Sequence, residues 1–400
     1  MSRKLFNVSL AAMGVLCAGV AVAADNQEQA GDQQAKGAGV INAGGFEIRP
    51  KLVLTLGRND NVGLNSGAKT ASTFTLLNPN VVIGLPTHGQ LYSASYTGKY
   101  AQFSGSGIDN YNDHAFGVAA DNAWSARLNT LLNVDYVKGH DGRNALLFAN
   151  KELWHTTGIK GKVHYGAEGA QGQFELAAGQ ISKRYDSNNS GATHLYNNDN
   201  TDLTGTFFYK IAPATQLFVE AGNAKFAYVD AASKRLDSTQ QSYMLGVKWE
   251  ATAKTTGSFK IGRMDKSFSL GLLPSGRSTV WDGAVTWSPK TYSVVDVSVS
   301  QKANEFGGVG SFIISRDTDL VWKHDWSSYI TSALSFGDGV DDFQAANRVD
   351  KRQTYGAKLT YGINRWLSAG IGYQHSKRDS TTPALSYTQS VSMLILEGTL

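Results

Sequence analysis

His140 is followed at once by Asp141, and His155, His164 and many serines lie elsewhere in the chain, so the residue types of a nucleophile, a base and an orienting acid are all present. A triad needs all three within hydrogen-bond reach, and no spacing here brings them to one rim; scattered histidines are ordinary structural background. Asp338, Asp341 and Asp342, in a stretch read as a loop over residues 338–350, offer carboxylate oxygens of the kind Ca²⁺ takes, although a solvated acidic loop has the same pattern. Gly307-Gly308-Val309-Gly310 and Gly105-Ser106-Gly107 are not phosphate cradles, because no helix follows either one. No catalytic residue, cofactor or metal is therefore expected. What remains is chemistry of another kind: charges that recur at every second position of long alternating segments.

Those segments define the elements. Tyr243, Leu245, Val247 and Trp249 alternate with Ser242, Met244, Gly246, Lys248 and Glu250, and Val295, Val297 and Val299 alternate with Asp296, Ser298 and Ser300. Period two is a strand signal. About ten residues of tilted strand cross a bilayer, whereas strands of soluble domains usually stop near five or six. The repeat predicts an all-β, transmembrane, antiparallel up-and-down barrel.

Composition agrees. The 400 residues include 43 Gly and 7 Pro, 10% are aromatic and 18% charged, and mean hydropathy is −0.25. A helical membrane protein would show runs of about eighteen or more apolar residues, and none exists beyond the first two dozen positions. Arg3 and Lys4, an apolar run over residues 10–22 and the small-residue site Ala21-Val22-Ala23 read as a signal peptide over residues 1–23. The only cysteine, Cys17, lies inside it, so the mature chain carries no disulfide or thiolate chemistry. Residues 24–45 are polar and Gln/Gly-rich and read as a disordered periplasmic lead. The barrel is expected over residues 46–400.

About eighteen strands can be placed, from roughly residues 46–56 to 387–399. Short connections such as Pro86-Thr87-His88-Gly89, Ala212-Pro213-Ala214 and Asn364-Arg365 alternate with longer Asn/Asp/Gly/Ser-rich ones at 57–72, 139–153, 185–201, 338–350 and 378–386. That is the pattern of short periplasmic turns and longer extracellular loops, and it implies the bacterial outer membrane. Tyr92, Ala94 and Tyr96, then Phe207, Tyr209 and Ile211, then Tyr355, Leu359 and Tyr361, and finally Leu367, Ala369, Ile371 and Tyr373 give outward stripes, with Trp249, Trp287, Trp322 and Trp366 in interfacial girdles.

A lysine aimed at lipid at the midplane costs roughly 2–4 kcal/mol, so charges in the other phase belong to the lumen. These are Lys99, Arg127, Lys160, Lys162, Lys183, Lys210, Lys248, Lys260, Lys323 and Lys358, with the acids Asp135, Glu175, Glu220, Glu250, Asp282, Asp296 and Asp319. The cationic bias is mild. It suits an anionic solute and equally a merely solvated wall. Phe208 and Phe218 are the clearest lumen aromatics. No connection exceeds about seventeen residues, so no long loop is expected to fold into the pore; a partner or inward-leaning charged side chains would have to narrow it.

Arg49-Pro50 opens a strand that closes in Asn59-Asp60-Asn61-Val62, the next strand carries Asn78-Pro79, and Tyr96 and Tyr100 precede Tyr111-Asn112-Asp113-His114. In these motifs, which cover about the first seventy barrel residues, the chain resembles the outer-membrane β-barrel porins associated with exopolysaccharide secretion loci. The resemblance implies an eighteen-stranded export channel for a polysaccharide, working beside a periplasmic polysaccharide export protein and an inner-membrane synthase or flippase. Outer-membrane lipids and the barrel assembly machinery are the other expected partners, and no nucleic acid is. A diffusion porin for small anions and a structural or adhesive surface barrel are the alternatives. The end of the chain, Leu394 through Leu400, lacks the aromatic last residue that the assembly machinery usually reads.

Overall fold

The computed structural model describes residues 39–144, 148–252, 254–305 and 309–399. The proposed signal peptide, most of the lead, Gly307, Gly308 and Leu400 lie outside the described residues. A three-residue strand, β1 (Ile41–Ala43), is followed by β2 (Phe46–Asn59), β3 (Ser72–Thr87), β4 (Gln90–Phe103), β5 (Tyr111–Ala123), β6 (Leu128–Asp141), β7 (Glu152–Tyr165), β8 (Gly172–Tyr185), β9 (Asn198–Ala212) and β10 (Thr215–Tyr228). Then come β11 (Ser238–Thr252), β12 (Thr255–Phe268), β13 (Gly276–Lys290), β14 (Ser293–Glu305), β15 (Phe312–Asp325), β16 (Ile330–Phe343), β17 (Arg348–Gly362), β18 (Leu367–Ser380) and β19 (Tyr387–Thr399). From β2 onward every strand pairs antiparallel with its neighbours in sequence, and β19 returns to pair with β2, from Val391↔Asn59 to Thr399↔Lys51. The sheet is thus a closed eighteen-stranded barrel, and β1 extends the edge of β2 where β19 ends. Closure leaves no strand edge in the hydrocarbon, which a membrane-spanning sheet requires.

One rim carries connections of two to six residues, at 88–89, 124–127, 166–171, 213–214, 253–254, 291–292, 326–329 and 363–366. One of the tightest needs glycine. Gly89 sits at φ +84°, and a Cβ there would come within 3.2 Å of the Ala123 carbonyl oxygen. The other rim carries connections of four to twelve residues, the longest at 60–71 and 186–197. The stretch read as a loop at 338–350 is a correction. β16 and β17 run through it, leaving only residues 344–347 as a connection, and the alternation separates Asp341 from Asp338 and Asp342 across the sheet. The three carboxylates therefore do not form a cation site.

Every predicted outward stripe is outward. Val297 pairs with Val285 and Leu320, and Leu245 with Val219 and Ile261, and Leu245, Val219, Ile261 and Leu320 are exposed on the outer wall while Val297 and Val285 are half-buried among them. The apolar band starts at the short-turn rim. Trp287, Trp326, Tyr361 and Trp366 girdle its lower edge, and Phe116, Tyr136, Tyr243 and Tyr355 its upper edge. Above that edge the outward positions turn polar on strand after strand, as at Arg58, Lys138, Gln241, Arg263, Arg316, Asp338 and Lys377. The bilayer accordingly embraces the part of the barrel nearest the short turns, and the strand ends beyond it stand in the headgroup region and in water.

Candidate functional site: the barrel lumen

The side chains that alternate with the apolar stripes point inward. Lys99 pairs with Asp113, Lys160 with Asn133, Lys162 with Ala177, and Lys183 with Thr156. Lys210 and Lys248 flank Gln216 on either side, as Lys323 and Lys358 flank Ala333. Lys260 pairs with Asp282, Asp296 with Thr286, and Glu220 with Met244. All take the inward register the sequence predicts. Asp135, Glu175, Glu250 and Asp319 follow the same phase. Arg127 does not: β6 begins at Leu128, and Arg127 is exposed in the turn at 124–127, outside the lumen wall.

Glycine in the inward stripe lets long side chains meet across an intervening strand. Lys260 on β12 reaches Glu220 on β10 at 2.9 Å, over Gly246 of β11, and the Phe208 and Phe218 rings pack beside it, tilted by 44° at 5.4 Å. Arg352 on β17 holds Asp341 on β16 at 2.7 Å and Asp317 on β15 at 2.6 Å, over Gly339. A Cβ at Gly339 would stand 2.8 Å from the Arg352 guanidinium, so Gly339→Val is expected to break the Asp317 contact and weaken assembly, read as a lower temperature for loss of the folded band on unboiled gels.

The upper lumen departs from expectation. Pairing between β13 and β14 stops at Trp281↔Gln301, although β13 runs back to Gly276 and β14 on to Glu305. The β14–β15 pairing meanwhile continues to Glu305↔Phe312. Beyond Gln301 the β14–β15 hairpin therefore leaves the wall and folds inward over the inner faces of β10, β12 and β13. Phe312 packs on Met264, Phe268 and Val280, with Ala303 and Ile314 against the same cluster. The Glu305 carboxylate accepts from Lys266 and from the Tyr228 hydroxyl, the latter at 3.1 Å. Lys266 is wholly enclosed, with its ammonium 4.0 Å from the centre of the Phe226 ring.

Opposite, Arg143 and Asn144, at the start of the connection after β6, reach across the mouth. The Asn144 side chain donates to the Gly63 carbonyl at 2.9 Å, and its own carbonyl accepts from Arg378 on the inner face of β18 at 2.7 Å. Arg143 donates to Asp109 at 2.6 and 2.8 Å; that pairing, as the leading cause, raises the guanidinium's pKa. Burial lowers that of Lys151, although Asp109 and Asp113 oppose it. Asp60 stays below the usual carboxylate range: its burial pulls upward, and the Ser390 N–H and Lys69 together outweigh it. The mouth is thus narrowed by strand ends and by a ten-residue connection, not by a long loop.

Sequence reasoning missed the residues that do this. Lys266 shares the phase of Lys260 and could have been found from it. Glu305, Arg348, Asp350 and Arg378 fall past the predicted strand ends, where no phase was assigned. Inward aromatics are also more numerous than expected, since Phe74, Trp154, Tyr185, Phe226 and Phe268 join Phe208 and Phe218. Among the described residues no group of three or more His, Cys, Asp and Glu side chains is placed to hold a metal.

Comparison with known proteins places this architecture. The family model described as putative beta-barrel porin 2 matches residues 34–398. A BenF-like porin of Pseudomonas fluorescens is similar with a TM-score of 0.50 at 11% identity, covering 89% of this chain and 98% of that one. The outer membrane protein opdK of Pseudomonas aeruginosa gives 0.47 at 13% identity over 88% and 98%. The FrpB iron transporter of Neisseria meningitidis gives 0.44 at 10% identity, and the chain, 82% of which aligns, spans 62% of its length. At these identities the likeness is one of fold. No curated protein matches the chain.

Proposed function

We infer a function from one premise: the chain belongs to the putative beta-barrel porin 2 family, and its closed barrel is an outer-membrane channel fold. We propose that the channel lets an acidic exopolysaccharide leave the periplasm. The observation that carries this reading is a set of inward lysines without ion-pair partners. Lys160, Lys210, Lys248 and Lys323 come from four strands, and among the described residues none is paired with a carboxylate, whereas Glu175 and Glu220 are held by Lys162 and Lys260. Asp282 and Glu250 share the lumen and keep its field mixed, which suits weak, renewable contacts along a moving polyanion. The proposed partner at the short-turn rim is a periplasmic polysaccharide export protein, and the signal peptide would deliver the chain to that side.

Replacing Lys99, Lys160, Lys162, Lys248 and Lys358 together by Glu reverses the fixed charge that a solute feels within a Debye length of about 8 Å. The variant is expected to assemble, to swing toward cation selectivity in planar bilayers and to secrete less acidic polysaccharide. Unchanged secretion in a deletion strain would rule out export. The same lysines also favour a diffusion channel for small anions; that reading gains if deletion spares the polymer while the barrel conducts anions. A barrel that conducts nothing would instead be structural or adhesive.

A further inference from the structure

The outer wall of β10 to β15 changes character abruptly above the apolar band. Below the change, Val219, Leu245 and Ile261 face lipid, each about half exposed or more. Above it stand Arg263 on β12, the next outward position past Ile261, then Arg277 on β13 and Arg316 on β15, and higher still Lys225 on β10. Alternation fixes their outward direction: Arg263 pairs with Tyr243 and Thr279, and Lys225 with Thr239. Against these four cations the same outward stretch carries one carboxylate, Asp265. Asp265 takes Arg263 at 2.8 Å and Arg277 at 2.7 Å, so one negative charge is shared by two guanidinium groups. Their side chains remain 53% and 68% exposed, with N–H groups left over. Arg316 lies over the Trp281 ring at 5.7 Å, held by Gln301 at 2.9 Å. Elsewhere the belt is not so biased: on β16 the outward positions around Arg316's partner Val340 are Asp338 and Asp342.

We propose that this patch binds the phosphorylated headgroup of an outer-leaflet glycolipid, with Arg263 and Arg277 as the phosphate-holding forks and the apolar stripe beneath them receiving the acyl chains. Two arginines converging on one carboxylate are a preformed pair for a second anion, because guanidinium forks match phosphate oxygens two at a time. Arg263 is the next outward position above Ile261 in the apolar band, with Arg277 beside Asp265, so the anion these forks would take is one carried on a lipid rather than a free ion. Polybasic surfaces gain roughly 1 kcal/mol per Lys or Arg from anionic headgroups.

The test titrates the detergent-solubilised barrel with a bis-phosphorylated glycolipid, with the same glycolipid stripped of phosphate, and with inorganic phosphate, and counts retained molecules by native mass spectrometry. The intact barrel should keep the phosphorylated lipid in preference to the stripped one. Arg263→Gln with Arg277→Gln should lower its retention by about tenfold or more while the folded band on unboiled gels persists. Asp265→Asn should strengthen retention by freeing both guanidinium groups, whereas a purely structural triad would weaken. Equal retention of both lipids, indifference to the paired substitution, or equal competition by inorganic phosphate would each overturn the proposal.

Discussion

Val297→Arg should leave almost no assembled barrel in the membrane, and Ser298→Arg, one residue on, should assemble normally and change only conduction. Val297 pairs with Val285 and Leu320 on the lipid face, while Ser298 pairs with Ala284 and Asp319 on the lumen face. A charge facing lipid at the midplane costs roughly 2–4 kcal/mol, a large share of a typical domain's net stability of about 5–15 kcal/mol. The inward arginine instead gains Asp319 as a neighbour. Heat-modifiability on gels reads assembly and planar bilayers read conduction; equal defects from both substitutions would mean that the register is wrong by one residue throughout β14.

Glu305→Ala should open the mouth. The substitution strands Lys266 among Phe226, Phe268 and Phe312 without its counter-charge. Removing one partner of a buried pair typically costs about 3–5 kcal/mol. Swinging the hairpin out and wetting Lys266 relieves that cost without touching the membrane-spanning wall. Single-channel conductance should rise severalfold, and Ser311, Phe312 and Ile313, buried in the intact barrel, should become accessible to protease in intact cells. Combining Lys266→Met with Glu305→Gln keeps the volume and removes both charges, so conductance should return toward the starting value. If Glu305→Ala and the double variant conduct alike, the infolded hairpin does not set the width.

The barrel itself was legible because the bilayer imposes a strict rule on the sequence: every second residue in the lipid-facing stretch must be apolar, and Leu367, Ala369, Ile371 and Tyr373 obey it over a whole strand. The lumen lysines were legible for the same reason, since their phase is opposite to a stripe that cannot be mistaken. Arg127 fails because it lies past the last outward anchor of β5, in a turn, where parity has no meaning. The upper part of the barrel was illegible for a related cause. Above the membrane nothing forces outward positions to be apolar, so strands at 338–350 read as a polar loop. There the side chains are sorted by mutual pairing, as Arg348 with Asp350 at 2.5 Å along one strand and Arg352 with Asp341 and Asp317 across strands, and parity toward lipid gives no sign of such pairs. The infolding could not be read from periodicity at all, because Glu305 and Phe312 sit on the face that parity assigns to the outside.

The departure of β14 from β13 also gives this cylinder a notch. From Gly276 to Val280, β13 is paired through β12 alone, and the backbone groups that point the other way meet no strand. Gln301 stitches across the gap by hydrogen bonding: it gives its amide N–H to the Thr279 carbonyl at 2.6 Å and approaches the Ser278 hydroxyl at 3.5 Å. Above the lipid this part of the wall is therefore held by side chains instead of a backbone ladder. On the lumen side the infolded hairpin backs this seam, with Phe312 against Val280, so the loss of Gln301 would loosen the wall at the height where the hairpin is anchored.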